Sequence, residues 1–242
     1  MHKKGVNMGM KYETKKLTDD IRTLGLKNGA DLVGFMSAKK LENGAPEGHK
    51  PSVLMPNAKS VIVIACGRKL NEDREYDYEW GPGYSKTYIK LKDCLVPLRT
   101  EARKSIDAIK KYLSNKGFVA VTEMHGWSGI LSFKMAAYFS ELGVFGKGSF
   151  IVHPKLGPLN ILSCIVTDVQ LEYGSPMNVD VCGDCIECII ACKYGAFRQE
   201  DENFKWIADK CRCYDLIMNP VNLKWTYGPC NSKCANVCPI GR

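Results

Sequence analysis

The sequence predicts an α/β (α+β) domain followed by a smaller cysteine-rich module, and three observations carry that prediction. Apolar runs of strand length alternate with segments of helical periodicity between Thr18 and Val169. Nine of the 12 cysteines then fall in the last quarter of the 242-residue chain. Within that quarter Cys182, Cys185, Cys188 and Cys192 form a C-x2-C-x2-C-x3-C run, and Cys211, Cys213, Cys230, Cys234 and Cys238 come after it, the last just before Pro239.

Residues 1–16 are polar and are expected to fray. Thr18-Asp19-Asp20 reads as a helix start, with Ile21, Leu24 and Leu26 on the apolar face and Asn28-Gly29 as the stop. A first strand is expected over Asp31–Met36, then loop from Gly44 to Pro56. Ser60–Cys66 is β-branched and apolar on both faces, which predicts a central strand covered from both sides. Cys66 at its end reads as a buried hydrophobe. Between Asn71 and Tyr88, Tyr76, Tyr78, Trp80, Tyr84 and Tyr88 crowd around Gly81-Pro82-Gly83. Such a segment is either a cover for a flat ligand or a loop whose rings pack on the core.

A long helix is expected from about Lys86, with Leu91, Leu95, Leu98, Ala102, Ile106, Ile109 and Leu113 spaced by three and four. Pro97 either bends it or marks a late start. Phe118–Met124 predicts another strand, His125–Gly129 a turn, and Leu131 to Leu142 a helix. Phe150–Pro154 and Ile161–Val169 predict two further strands.

The thiol spacing has a chemical reading. Three thiols at C-x2-C-x2-C wrap three corners of one cubane and leave the fourth to serve a second, as in two-cluster electron carriers. Tetrahedral zinc suits C-x2-C pairs but not three thiols in seven residues plus a fourth. Disulfides are not expected, because the N-terminus has no apolar signal segment and the longest apolar run, Val61–Cys66, is far too short to span a bilayer. The expected setting is cytoplasmic and reducing, away from membranes. The formal charge of +8 leaves out thiolates and clusters, and the lysines are scattered, so a solvated surface is expected and a nucleic-acid partner is not.

An ordered set of motifs precedes the cysteines: Gly143-Val-Phe-Gly146-Lys147-Gly148-Ser149, then His153-Pro154-Lys-Leu-Gly157, then Thr167-Asp168-Val-Gln-Leu171. In this order, feeding a double cysteine run, the set resembles the cobalamin-dependent iron–sulfur reductases, the epoxyqueuosine reductases and reductive dehalogenases. The resemblance spans about Ser60 to Cys238 and is strongest from Gly143 onward. It implies a nitroreductase-like, cobalamin-binding core over residues 1–174 and a bacterial ferredoxin-like module over residues 175–242. Gly143, Gly146, Lys147, Gly148 and Ser149 would line a corrinoid, with Pro154 and Gly157 in a supporting turn; the other reading of these glycines is a tight helix-to-strand connection.

The same resemblance implies crossed ligation. Cys182, Cys185, Cys188 and Cys238 would hold one cluster, and Cys192, Cys211, Cys230 and Cys234 the other, with Cys213 the alternative to Cys211. Lys193 stands where the family has proline, and Trp127–Phe133 carries no carboxylate where epoxyqueuosine reductases place a proton donor. His125, Tyr84 and Tyr88 are therefore the candidate catalytic acids. The implied function is an oxidoreductase passing single electrons from two [4Fe–4S] clusters to a corrinoid and on to a small substrate. The alternatives are a corrinoid-handling or electron-delivery protein and an FMN-using reductase. A ferredoxin or flavodoxin would be the electron donor, and a small molecule or a corrinoid protein the acceptor.

Overall fold

The computed structural model describes residues 3–45, 47–67, 96–124, 131–159, 161–192, 194–200, 203–206 and 233–241. Its centre is a four-stranded antiparallel sheet of β1 (Leu32–Ser37), β2 (Ser60–Cys66), β3 (Ala120–Met124) and β7 (Ile161–Thr167), in the order β1-β2-β7-β3. The fully antiparallel pairing resolves the sequence expectation toward α+β.

All seven residues of β2 are buried. Alternation sends Ile62, Ile64 and Cys66 toward α1 (Lys3–Lys27) and α4 (Val96–Asn115), where they pack with Ile21, Ala102, Ile106, Ile109 and Leu113. Val61, Val63 and Ala65 face α2 (Ala38–Gly44) and α5 (Phe133–Phe139), where Leu41, Ala136 and Ala137 cover them. The result is a three-layer sandwich. A strand buried on both sides has no polar face, which is why its sequence shows no alternation.

Three expectations are corrected. α1 begins at Lys3, so Thr18 is an interior residue; its hydroxyl donates to the Thr14 carbonyl one turn back at 2.8 Å. The stretch expected as loop holds the end of α2 and the short helix α3 (Pro51–Leu54), the latter started by a proline whose missing N–H has no intrahelical partner to lose. The helix expected from Leu131 to Leu142 is confined to Phe133–Phe139, with Ala136 and Ala137 buried on it and Leu131 and Leu142 buried on either side. Among the described residues α4 runs from Val96 with Pro97 in its first turn, and the start expected from about Lys86 lies outside them.

A glycine sets how closely the end of α5 packs on the sheet. A Cβ on Gly34 of β1 would stand 2.7 Å from the Ser140 carbonyl oxygen, so only glycine permits this approach. Beyond α5, β4 (Val144–Phe145), β5 (Ile151–His153) and β6 (Gly157–Pro158) form a small antiparallel sheet. A short helix α6 (Glu187–Ile190), a hairpin of β8 (Phe197–Glu200) and β9 (Asn203–Trp206), and helix α7 (Lys233–Asn236) make up the described tail.

Candidate metal centre

The tail leaves the sheet from an anchored point. Glu172 donates its backbone N–H to Thr18 Oγ1 at 2.9 Å, the Tyr173 hydroxyl donates to the Lys59 carbonyl at 2.9 Å, and the Gly174 N–H donates to the Phe35 carbonyl at 2.9 Å. These bonds tie the exit segment to α1, to the residue before β2 and to β1. Thr18 is thus used twice, which explains a threonine inside a helix.

Asp180 shapes the first cysteine loop. Its Oδ1 accepts the N–H groups of Cys182 at 2.9 Å and Gly183 at 3.1 Å, an Asx-type turn. Those two bonds, with the Lys147 charge adding, hold the Asp180 carboxyl below the ordinary carboxylate range. On the other side of the loop Lys147 Nζ donates to the Gly183 carbonyl at 2.5 Å. The Cys185 N–H closes the turn onto the Cys182 carbonyl at 2.9 Å, and the chain then enters α6.

Cys182, Cys185, Cys188 and Cys238 come together around one cavity of ≈ 60 Å³. The first three stand on the loop leading into α6 and on α6 itself, and the fourth stands just beyond α7, so the tail folds back on itself. Phe150, Val152 and Ile240 supply apolar wall. Burial pushes the Cys188 thiol up to about 11, and the nearby Cys182, Cys185 and Cys238 add to it. A thiol held this way keeps its proton until a cation takes its place. Among the described residues no three His, Cys, Asp or Glu stand close enough to share a single ion. A cubane spreads its four ligands over four separate irons, so the two facts agree.

The second run is described in part. Cys192 Sγ accepts the Ala196 N–H at 3.4 Å, Cys234 lies in α7, and α7 packs on α6. Cys211, Cys213 and Cys230, and the candidate acids His125, Tyr84 and Tyr88, lie outside the described residues.

The glycines of the expected corrinoid strip are closely packed. A Cβ on Gly143 would stand 2.6 Å from the Val152 carbonyl oxygen, one on Gly146 2.8 Å from Val152 Cγ2 and 3.5 Å from Cys182 Sγ, and one on Gly148 would enter the Phe150 ring. These glycines make room for the chain's own atoms. Ser149 takes a left-handed φ of 60° and its carbonyl accepts Lys134 Nζ at 2.5 Å. Pro154 is exposed, and the turn it opens is held by His153 Nδ1, which accepts the N–H groups of Lys155 at 3.1 Å and Leu156 at 3.2 Å. Burial, with the Lys155 charge, lowers the His153 pKa and keeps that nitrogen an acceptor. Sequence reasoning missed Asp180, although an acid two residues before Cys182-Gly183 is itself a turn signal.

No family model matches the chain. An epoxyqueuosine reductase of Staphylococcus aureus is 27% identical over 222 residues, covering 78% of this chain and 54% of the relative. The chain is a relative of the epoxyqueuosine reductases. It spans about half the length of that relative. In fold it matches a crystal structure of an epoxyqueuosine reductase bound to a tRNA stem loop, with TM-score 0.57 and 21% identity over 75% of this chain and 52% of that one. It also matches a reductive dehalogenase whose structure suggests a mechanism for B12-dependent dehalogenation, with TM-score 0.59 and 15% identity over 84% of this chain and 29% of that one. Among the described residues no helix is long and apolar enough to cross a membrane.

Proposed function

We propose that this chain is an iron–sulfur reductase that uses cobalamin, taking single electrons through two [4Fe–4S] clusters to a corrinoid and on to a small substrate. The observation that carries the reading is the meeting of Cys182, Cys185 and Cys188 with Cys238 on one cavity. Four thiols from a C-x2-C-x2-C run and a distant Cys-Pro fit a cubane, one to each iron. The second cluster is assigned to Cys192, Cys211, Cys230 and Cys234, within a ferredoxin-like module over residues 175–242 that comes after a corrinoid-binding domain over residues 1–174.

When bound, the clusters supply one-electron transfer and the corrinoid supplies reductive chemistry at cobalt. The chain's own part is positional and electrostatic. Asp180 and Lys147 fix the loop that aims Cys182 and Cys185, and Phe150, Val152 and Ile240 exclude water from that side. The ≈ 60 Å³ cavity has no room for a corrinoid, so the inner side of the Gly143–Ser149 strip belongs to the thiols. Kinship with the family supports a corrinoid on the outer side of the strip near Ser149, while Lys147 faces the thiol cavity and ties the cysteine loop. His125, Tyr84 and Tyr88 stay the proposed proton donors, and a ferredoxin or flavodoxin the proposed electron source.

The test is anaerobic reconstitution, then iron analysis and EPR of the dithionite-reduced protein, with and without cobalamin. Iron for two cubanes and a new Co(II) signal are expected. Iron without any cobalamin response removes the corrinoid from the proposal, and a released yellow, fluorescent chromophore replaces it with FMN. A second reading, electron delivery to a corrinoid on a partner protein, is favoured by the lack of a carboxylate in Trp127–Phe133. Reductant consumed only when a corrinoid protein is added would select it.

A further inference from the structure

The cavity that collects the thiols is not built from the cysteine tail alone. Phe150 and Val152 on one side belong to the β4–β5–β6 sheet and its approach, and Pro239 and Ile240 come directly after Cys238. Something must hold the chain beyond Cys238 against that sheet, and two glycines face each other there. Gly157 has φ 73° and Gly241 has φ 80°, left-handed values that suit glycine. A Cβ on Gly157 would strike the Ile240 carbonyl oxygen, and a Cβ on Gly241 would strike the Leu156 carbonyl. Backbone lies on backbone in both directions, with no side chain able to yield.

We propose that Gly157 and Gly241 form a latch that holds the Cys238 thiol in place for the first cluster, so that both are positioning residues for an iron ligand. The inference rests on the cluster reading above. Cys238 has an anchor on each side. Upstream it is held by α7, with its N–H donating to the Ala235 carbonyl at 3.4 Å. Downstream, the Gly157–Gly241 contact is what fixes Pro239 and Ile240 beside the cavity. Cys182, Cys185 and Cys188 all sit on one short stretch and keep their places without it. Opening the latch therefore removes one ligand of four and leaves three. The Pro154–Gly157 turn, which resemblance alone gave to the corrinoid, thereby acquires a partner within the chain.

The latch is tested in the full chain with Gly241→Ala and Gly157→Ala, set beside Cys238→Ala. Gly48→Ala and Gly117→Ala are the controls, because those glycines have φ 81° and 80° but nothing within 4 Å of an added Cβ. They carry the backbone strain without the collision. After anaerobic reconstitution, both latch variants are expected to lose about half of their iron and one reduced-cluster EPR signal, as Cys238→Ala does, while the controls keep both. Gly241 is exposed and outside both apolar cores, so its variant keeps the sheet, checked by far-UV circular dichroism. Wild-type iron and EPR in Gly241→Ala, with loss in Cys238→Ala, overturns the latch and spares the cluster reading. A wild-type protein that binds no iron overturns both.

Discussion

β2 and the first cysteine loop are short stretches that hold their shape by opposite means. In β2 every residue is buried, and two layers of helices supply the contacts. From Val181 to Cys192 only Cys188 is buried, while Ile186 and Ile190 are 37% and 69% exposed. Neither apolar core contains a residue from this loop. Hydrophobic burial stabilises the sheet, whereas the tail has too little of it and must draw on ligation.

Removing iron should break this comparison open. With an anaerobic chelator, amides of Cys185–Cys192 should exchange at nearly the unprotected rate while those of β2 and β7 keep theirs, read by hydrogen exchange and mass spectrometry. Equal loss in both regions would mean that the tail and the sheet are one cooperative unit. The converse experiment is Ile64→Ala, in the fully buried face under α4. It should destabilise the sheet by about 2–5 kcal/mol in a urea titration and leave iron per folded molecule unchanged.

Thiol ionisation sharpens the contrast. Burial pushes Cys66 up to about 12 from an ordinary 9.0, with Asp31 adding, and its S–H points at the Gly29 carbonyl at 3.8 Å. The folded state holds this proton more tightly than the unfolded chain does. Its contribution is fully present below the ordinary value and is lost as pH rises through about 12. Urea midpoints should thus fall in strongly alkaline solution, less steeply in Cys66→Ala; Tyr112, raised to about 12 mainly by burial and by its bond to Asp20, steepens the fall in both proteins. At neutral pH, Cys66 should resist iodoacetamide in protein stripped of iron, whereas Cys182 and Cys185 react.

The smallest effect concerns charge beside the cavity. Lys147→Met should lower the midpoint potential of one cluster by roughly tens of millivolts in an EPR-monitored titration, because a cation there favours the reduced, more negative state. Lys147→Arg should preserve it. An unchanged potential in Lys147→Met would leave the lysine a purely structural tie to Gly183.

The two regions also differ in how legible they are from sequence. Ser60–Cys66 has the bounds in the structure that its residues suggest, since a β-branched run apolar on both faces fits few places other than a sheet centre. The convergence of the first three cysteines is likewise local, set by turn and helix spacing. The start of α1 is hidden, because Thr18-Asp19-Asp20 has the composition of a cap while Thr18 serves a tertiary contact with Glu172 that no local pattern reveals. The glycine strip is visible but its purpose is not. Missing Cβ atoms show that something comes close, not whether it is a ligand or, as at Gly143 and Gly157, the chain's own carbonyls.

The meeting of Cys188 with Cys238 has a topological side. A cluster held by both would close a ring of roughly 50 residues, much as a disulfide does, and would shrink the freedom of the unfolded tail by an amount worth about 4 kcal/mol. An oxidant that dissolves the cluster would open that ring in one step. Damage to the redox centre would then surface as protease sensitivity of the tail while the sheet is still intact.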